Sequence, residues 1–328
     1  MSASTENGSQ QQCALVTGSS NGIGEAIVLE LAALDYKLVV TGRNGADVSR
    51  VAALCADRSP SKSKVSGPTL GATRNSPAQL ELIAAPPRPL VLSVGTPIQP
   101  PARPPKPLEI VADLADELEV RRLFDGARKH FNGRLDLLVN NAGLGAPVSR
   151  AQVDECWSSF KCTMQVNLMS AVQLTLLSAP LLEQTARASA QVAPTTTCSV
   201  INIGSLAALR TTQSLAAYGT SKCALNFFTQ CMAVELGPYV RVNCVNPGPV
   251  ATKIIERAGF DLGKMRDACA QVAPLRRLAS ADEVAHAVLF LADPKRAGFI
   301  TGASLSVDGG CALIPVRWSP PSVAGATE

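Results

Sequence analysis

The feature that most constrains the fold is a glycine-rich run between a strand-like segment and a helix-like segment. Residues 14–17 are apolar enough for a buried strand, residues 18–24 read Gly-Ser-Ser-Asn-Gly-Ile-Gly, and helical spacing then continues to residue 34. Such glycines permit a tight turn and a close approach of the backbone to a ligand. The free N–H groups of a helix N-terminus favour a phosphate. The run therefore predicts a dinucleotide site formed by Gly18, Ser20, Asn21, Gly22, Ile23 and Gly24.

Strand-like and helix-like segments alternate along most of the chain. Strands are predicted at residues 14–17, 38–41, 110–112, 135–139, 200–203, 242–245 and 304–307, and helices at 22–34, 117–130, 153–182, 216–236 and 281–291. The composition is 46% hydrophobic but only 4% aromatic, which is typical of a buried parallel sheet. This alternation predicts a doubly wound α/β sheet of the Rossmann type, in one domain spanning residues 13–311.

Residues 59–107 interrupt this pattern. They contain 12 of the 23 prolines, no aromatic residue and no sustained period. Proline lacks an N–H donor and fixes φ, which excludes a helix or a central strand. We expect a disordered or polyproline II insert, the alternative being an artefact of the gene model. Residues 1–12 and 312–328 are expected to be flexible.

Charge and cysteine content exclude several classes of protein. The net charge is +4, but residues 58–107 carry +6 and leave −2 on the rest, so we expect no nucleic-acid partner. The ten cysteines form no CxxC pair, and with two histidines they indicate neither a disulfide framework nor a metal site. We expect reduced thiols, no signal peptide, no membrane span and a cytoplasmic location.

Two residues after the next strands suggest which dinucleotide binds. Arg43 follows the second strand, where NAD-binding sites often carry an acid, and its guanidinium suits a 2′-phosphate. We therefore expect NADP(H) rather than NAD(H), unless Arg43 is only a solvated loop residue. Asp113 follows the third strand and could accept a hydrogen bond from adenine or cap the next helix.

Further motifs occur in a fixed order along the chain. Asn140-Asn141-Ala142-Gly143 follows the fourth strand, Ser205 precedes Tyr218 by thirteen positions, and Lys222 follows four residues later. Residues 246–248 read Asn-Pro-Gly, and residues 307–310 read Val-Asp-Gly-Gly. With the glycine-rich run, these motifs resemble the short-chain dehydrogenase/reductase family from about residue 13 to residue 311, without the insert. One departure is Gly204, where relatives often have serine.

This resemblance implies roles for particular residues. The catalytic set would be Asn167, Ser205, Tyr218 and Lys222, with Asn167 helping to hold a water beside the lysine. The cofactor site would extend to Leu114, Asn141, Ala142, Gly143, Tyr218, Lys222, Pro247, Gly248, Val250 and Thr252. A buried asparagine that only satisfies backbone groups would give the same signal at position 167.

The residue types also indicate the chemistry. Tyr218 and Lys222 lie one helical turn apart, so the ammonium is expected to lower the pKa of the phenol toward neutrality. Tyr218 could then donate or accept a proton. Ser205 could donate a hydrogen bond to a substrate oxygen on which negative charge develops. The sequence thus predicts reduction of a carbonyl, or oxidation of an alcohol, by hydride transfer.

Substrate and assembly are less constrained. The loop at residues 249–279 would close over the site, with an apolar wall of Ile254, Ile255, Phe260, Leu262 and Met265. The absence of basic residues at 236–239 disfavours an acidic carrier protein, and a free ketone, a sugar, a steroid or an acyl-CoA stays open. Relatives form dimers or tetramers, for which Val172, Leu176, Leu225 and Phe228 are candidates unless they face the sheet. The alternative function is a cofactor-binding sensor or scaffold without turnover.

Overall fold

The computed structural model describes residues 11–58, 106–145, 153–191, 197–211, 215–252 and 261–314. The insert expected at residues 59–107 therefore lies outside the described residues except for its last two positions. So do residues 1–10 and 315–328. A short 3₁₀ turn, Cys311–Leu313, stands at the start of the expected C-terminal tail.

Seven parallel strands form one sheet in the order β3-β2-β1-β4-β5-β6-β7. Their bounds are β1 Cys13–Val16, β2 Lys37–Gly42, β3 Leu108–Val111, β4 Leu137–Asn140, β5 Cys198–Ile203, β6 Val240–Pro247 and β7 Ser304–Val307. Every strand predicted from the sequence overlaps one of these. The predicted doubly wound parallel sheet is confirmed.

Nine α-helices are described: α1 Gly22–Ala33, α2 Gly45–Arg58, α3 Glu117–His130, α4 Val153–Met164, α5 Ser170–Ala190, α6 Ala216–Leu236, α7 Leu262–Val272, α8 Ala281–Ala292 and α9 Pro294–Ala297. The single helix predicted at residues 153–182 is wrong in detail. A π-helical turn, Gln165–Met169, separates α4 from α5, which continues to Ala190. Apolar period alone does not distinguish a π turn from an α turn, since both continue the helix.

Helices cover both faces of the sheet. On one face, α1, α2 and α8 pack against alternate residues of the strands, such as Ala14 and Val16 of β1. On the other face, α3, α5 and α6 pack against the intervening residues, such as Cys13 and Leu15. The inner strands β1, β4, β5 and β6 are buried along their whole length, which explains why they read as apolar runs, whereas the edge strands β3 and β7 are partly exposed.

The strand order reverses direction between β1 and β4. The chain winds outward from β1 to β3 on one side and from β4 to β7 on the other. The carboxyl ends of β1 and β4 therefore diverge and leave a crevice, which is where ligands bind in open α/β sheets. The glycine-rich run follows β1 and opens α1 at this point.

The long helical stretch from Asp154 to Ala190 needs separate comment. An 18-residue window of this stretch has a mean hydropathy of 1.2, so by length and composition alone the helix could cross a membrane. However, 56% of that window is buried within the protein. Residues such as Leu174 and Leu182 are fully buried against the sheet. The stretch has the burial of a core helix.

Two of the four residues proposed for a subunit contact are buried or partly buried against the sheet. Leu225 is only 1% exposed, and Phe228 is partly buried against the core on one face of the sheet. On the same helix, α6, the neighbouring Phe227 is 68% exposed. Adjacent residues on a helix point about 100° apart, so the sequence period did not settle which phenylalanine faces outward. Leu176, on α5, is exposed as expected.

Candidate active site

A cavity of about 740 Å³ lies at the carboxyl ends of the strands, over the crevice between β1 and β4. Its wall comes from residues after β1, β2, β3, β4, β5 and β6, together with parts of α4, α6 and α7. All residues predicted for catalysis or cofactor binding line this cavity except Gly24 and Asn167. The sheet thus brings together residues that are distant in the sequence.

The glycine-rich run forms the floor at one end. Gly18 has φ +62°, and a Cβ atom there would lie 3.0 Å from Cα of Ala142. A Cβ atom on Gly24 would lie 2.4 Å from the carbonyl oxygen of Gly18, so Gly24 supports the loop from beneath. Asn21, the N-cap of α1, makes no side-chain capping bond, which leaves the first N–H groups of the helix for a ligand.

Asn141 and Thr17 hold this loop in place. The Asn141 amide donates to the carbonyl oxygens of Thr17 (2.8 Å) and Gly18 (3.2 Å). The Thr17 hydroxyl accepts from the backbone N–H groups of Asn141 (2.9 Å) and Ala142 (3.0 Å). Asn141 therefore lines the cavity and also positions the loop. Thr17 was not predicted, because a threonine at the end of a strand carries no distinctive signal.

Arg43 stands at the cavity immediately after β2. It is exposed and makes no hydrogen bond or ion pair with any residue that the structure describes. Nearby Arg50 is engaged instead, since its guanidinium binds both carboxylate oxygens of Glu25 at 2.7 and 2.8 Å. Of these two arginines beside the loop, Arg43 is the one available to a ligand phosphate.

Asp113 lines the cavity but is not the cap of the following helix. It lines the cavity, and its Oδ1 accepts from the N–H of Ala115 at 3.1 Å in a local turn. The helix cap itself is Asp116, whose carboxylate accepts from the N–H of Leu118. Asp113 lines the same cavity as Gly42 and Arg43.

Ser205, Tyr218 and Lys222 meet in the middle of the cavity. Ser205 follows β5, and Tyr218 and Lys222 lie on the first two turns of α6. Lys222 is 3% exposed, and its Nζ donates to the carbonyl oxygen of Ile203 at 2.7 Å. The Oγ of Ser205 accepts from the N–H of Ala207 at 3.1 Å, and Ser205 lies close enough to Tyr218 to lower the pKa of its phenol. Ser205 therefore also caps the short 3₁₀ turn Leu206–Ala208.

The expected effect of Lys222 on Tyr218 is wrong for this state of the protein. Burial raises the pKa of Tyr218, and the opposing influence is the hydrogen bond from Ser205. The Lys222 ammonium lies 5.9 Å from the centre of the phenol ring and is bound to Ile203. Burial lowers the pKa of Lys222 to about 8. At neutral pH both groups therefore hold their protons.

Asn167 lies in the π-helical turn beside these residues. It is 1% exposed, and its Oδ1 accepts from the N–H of Leu144 at 2.7 Å. Its Nδ2 donates to the carbonyl oxygen of Leu144 (2.9 Å) and to the Ser221 hydroxyl (3.0 Å). The side chain is thus fully used in fixing Leu144 next to the cavity. A π turn at such a position is a frequent feature of functional sites.

The far end of the cavity, which we call the substrate half, has different walls. Its lining residues are Leu144, Gly145, Ser159, Cys162, Thr163, Leu206, Leu215 and Met265. Met265 was predicted, whereas Leu262 packs beside Cys269 and Leu278 instead, and Ile254, Ile255 and Phe260 lie outside the described residues. The α4 residues were missed because small polar residues on a helix give no sequence signal.

The chain segments on either side of residues 252–278 are hydrogen-bonded to each other. Val250 and Ala279 form an isolated parallel bridge, with Ala251 N–H donating to Ala279 and Ala279 N–H donating to Pro249, both at 3.0 Å. The helix α7 lies in the chain between these two bonded segments, and its Met265 lines the cavity. All ten cysteines are free thiols, and the described ranges contain no group of three His, Cys, Asp or Glu residues suited to a metal.

Comparison with known families agrees with this geometry. Residues 99–312 match the family model described as enoyl-(acyl carrier protein) reductase, and residues 12–68 match the short chain dehydrogenase model. The chain belongs to the short-chain dehydrogenase/reductase family. Members of this family are oxidoreductases that bind a nicotinamide cofactor.

Relatives extend along nearly the whole chain. A Streptomyces violaceoruber protein assigned as ketoacyl reductase 2 of the granaticin polyketide synthase is 30% identical over 92% of this chain and 96% of its own length. The Brucella melitensis 3-ketoacyl-(acyl-carrier-protein) reductase, solved with NADH, is 26% identical (TM-score 0.68, 92% of this chain and 98% of that one). An NADPH-dependent reductase of bacilysin biosynthesis shares the fold at 23% identity (TM-score 0.68, 92% and 98%).

Proposed function

We propose that this short-chain dehydrogenase/reductase uses NADP(H) to reduce a small-molecule carbonyl to an alcohol, or to catalyse the reverse reaction, with Tyr218 as the general acid and base. The observation that carries the proposal is the meeting of Ser205, Tyr218 and Lys222 in one cavity with the glycine-rich loop. When bound, the nicotinamide would supply the hydride. The protein's own residues would bind and orient the substrate and would protonate its oxygen.

The role of each residue follows from its contacts. Ser205 lies within hydrogen-bonding reach of Tyr218, so the two hydroxyls can bind the same substrate oxygen. The raised pKa of Tyr218 keeps its proton in place at neutral pH, as a donor in reduction requires. Lys222 supplies a buried positive charge beside it, since a pKa of about 8 leaves it protonated at pH 7.

The preference for NADP(H) depends on Arg43. Its guanidinium has no partner among the described residues, borders the cavity, and follows β2, at the end of the site that would receive the ribose of the adenosine. One similar structure was solved with NADH and another belongs to an NADPH-dependent reductase. The proposal of NADP(H) is therefore based on Arg43 and not on similarity to either protein.

We also propose a homo-oligomer in the cytoplasm. Exposed apolar side chains on neighbouring helices, Leu176 on α5 and Phe227 and Val234 on α6, support a subunit contact, and light scattering would give the mass. Ten free thiols support a reducing compartment.

A panel of ketones, diketones, quinones and acyl thioesters tests the function. Purified protein should consume NADPH with at least one of these and be faster with NADPH than with NADH at equal concentration. Absence of turnover across the panel, despite binding of the cofactor, would indicate the sensor or scaffold function instead.

Tyr218→Phe tests the mechanism. The variant keeps the ring but loses the proton donor, and a general acid contributes about 10²- to 10⁴-fold, so turnover should fall at least about a hundredfold. NADPH affinity, measured by fluorescence, should stay within about threefold of wild type. A variant that keeps more than about a tenth of the activity would mean that Tyr218 has been given the wrong role.

A further inference from the structure

Gly204, between β5 and Ser205, has no room for a side chain. A Cβ atom there would lie 2.0 Å from Oδ1 of Asn246 and 2.8 Å from Sγ of Cys244. Gly204 is not among the residues with positive φ, so its backbone conformation is open to any residue. Glycine is required at this position for space and not for conformation.

The space beside Gly204 is taken by the amide of Asn246. This residue lies near the end of β6 and is fully buried. Its Oδ1 accepts from the backbone N–H of Ser205 at 2.9 Å, and its Nδ2 donates to the Ser304 hydroxyl on β7 at 2.6 Å. The side chain therefore ties the residue after β5 to both β6 and β7.

The segment held in this way carries two groups of the proposed mechanism. The carbonyl oxygen of Ile203 accepts from Lys222, and Ser205 lines the cavity together with Tyr218. Gly204 itself donates its N–H to Val245 at 2.7 Å. Without Asn246, the Ser205 N–H would be buried without an acceptor, and the residue would be free to turn away from Tyr218.

We propose that Asn246 is a positioning residue for Ser205 and that Gly204 and Asn246 act as a coupled pair, in which the missing side chain at 204 makes room for the amide. This inference rests on the proposed function, in which Ser205 binds the substrate oxygen. It implies that a serine at position 204, as relatives often have, is incompatible with Asn246 in its present place.

Asn243 provides a matched control on the same strand. It is also fully buried, its Oδ1 accepts from the N–H of Ala303 at 3.0 Å, and its Nδ2 donates to the carbonyl oxygen of Ile300 at 2.9 Å. It makes the same kinds of hydrogen bond but none to Ser205. Asn243→Ala should therefore lower the melting temperature about as much as Asn246→Ala while leaving kcat within about twofold of wild type.

The test compares kcat and KM of wild type, Gly204→Ala, Asn246→Ala, the double variant and Asn243→Ala, with NADPH and the best carbonyl of the panel. Gly204→Ala and Asn246→Ala should each lower kcat about tenfold, with the KM for NADPH changed less than threefold. The double variant should lose clearly less than the product of the two losses, because the alanine methyl gains room once the amide is absent and the Cys244 thiol can rotate.

Hydrogen exchange of the Ser205 amide gives a readout that needs no turnover. The amide should be protected in wild type and in Asn243→Ala, and should exchange at least about tenfold faster in Asn246→Ala. If Asn246→Ala does not fold, Asn246→Ser is used, since its shorter side chain should lose the same contact.

Three outcomes would overturn the inference: losses that multiply in the double variant, an equal fall of kcat in Asn243→Ala, or unchanged protection of the Ser205 amide. An active wild type that loses activity in Ser205→Ala but keeps full kcat in Asn246→Ala would refute this inference alone. A wild type inactive on every carbonyl would refute the proposed function, and amide exchange would still decide whether Asn246 holds Ser205.

Discussion

The two halves of the cavity are built in different ways. The cofactor half is formed by residues directly after β1, β2, β3 and β4, and these include several glycines. The substrate half is formed by Leu144 and Gly145 after β4, by parts of α4 and α7, and by residues between β5 and α6, which lie far apart in the sequence. A Cβ atom on Gly42 or Gly24 would lie 2.2 or 2.4 Å from a neighbouring atom, whereas one on Gly145 in the substrate half would lie 3.7 Å from the Tyr218 ring. The two halves should therefore respond differently to substitution.

The largest contrast is expected between two glycines. Gly24→Ala places a methyl group 2.4 Å from the Gly18 carbonyl and 2.5 Å from the Asn141 amide, so it must displace the loop. Overpacking of this kind costs about 1–3 kcal/mol, and NADPH affinity should fall up to about a hundredfold. Gly145→Ala, in the substrate half, meets only the Tyr218 ring at 3.7 Å. Fluorescence titration should give it the wild-type affinity, and similar losses for both variants would remove the contrast.

Arg43→Asp should act on one cofactor only. Loss of a charged hydrogen bond contributes about 1.5–3 kcal/mol, so NADPH binding should weaken about ten- to hundredfold while NADH binding changes little. Arg50→Gln is the control, because Arg50 is already paired with Glu25. Equal losses for NADPH and NADH in Arg43→Asp would show that the residue does not read the 2′-phosphate.

Lys222 should make cofactor binding depend on pH. Because burial lowers its pKa to about 8, the free protein carries the ammonium below that pH and the neutral amine above it. The family resemblance places Lys222 in the proposed cofactor site, and a charged donor binds more strongly than a neutral one. The Kd of NADPH should rise several-fold between pH 7 and pH 9.5. Lys222→Met should bind more weakly, with a flat profile, and a flat profile in wild type would contradict the assignment.

The smallest effect is expected outside both halves. Replacing residues 61–106 by a short Gly/Ser linker should leave melting temperature, oligomer mass and NADPH turnover nearly unchanged, since loop closure depends weakly on length. The replacement removes the ion pair of Lys106 with Glu109, but that lysine side chain is 70% exposed and the pair contributes little. A clear fall in melting temperature or mass would mean that the insert belongs to the working protein.

Much of the cofactor half could be predicted because its signals are local. The glycines of the first loop, Arg43 and Asp113 each follow a strand directly, and the fold places all strand ends at one edge. The distance from Tyr218 to Lys222 is one helical turn, which places both on one face of α6 without any knowledge of the sheet. For these residues, the spacing along the chain is enough to predict which of them lie close together.

Tertiary packing decided the remaining features, because each depends on contacts between residues distant in sequence. Burial, which no local pattern measures, raised the pKa of Tyr218 where its spacing from Lys222 predicted a lowered one. Packing against the sheet turned Phe228 inward and left Phe227 outside. The glycine at 204, which in sequence is only a departure from relatives, acquires a reason when Asn246 is found 42 positions later in the space beside it. A sequence fixes which atoms are available, and only the packed chain determines which of them share a space.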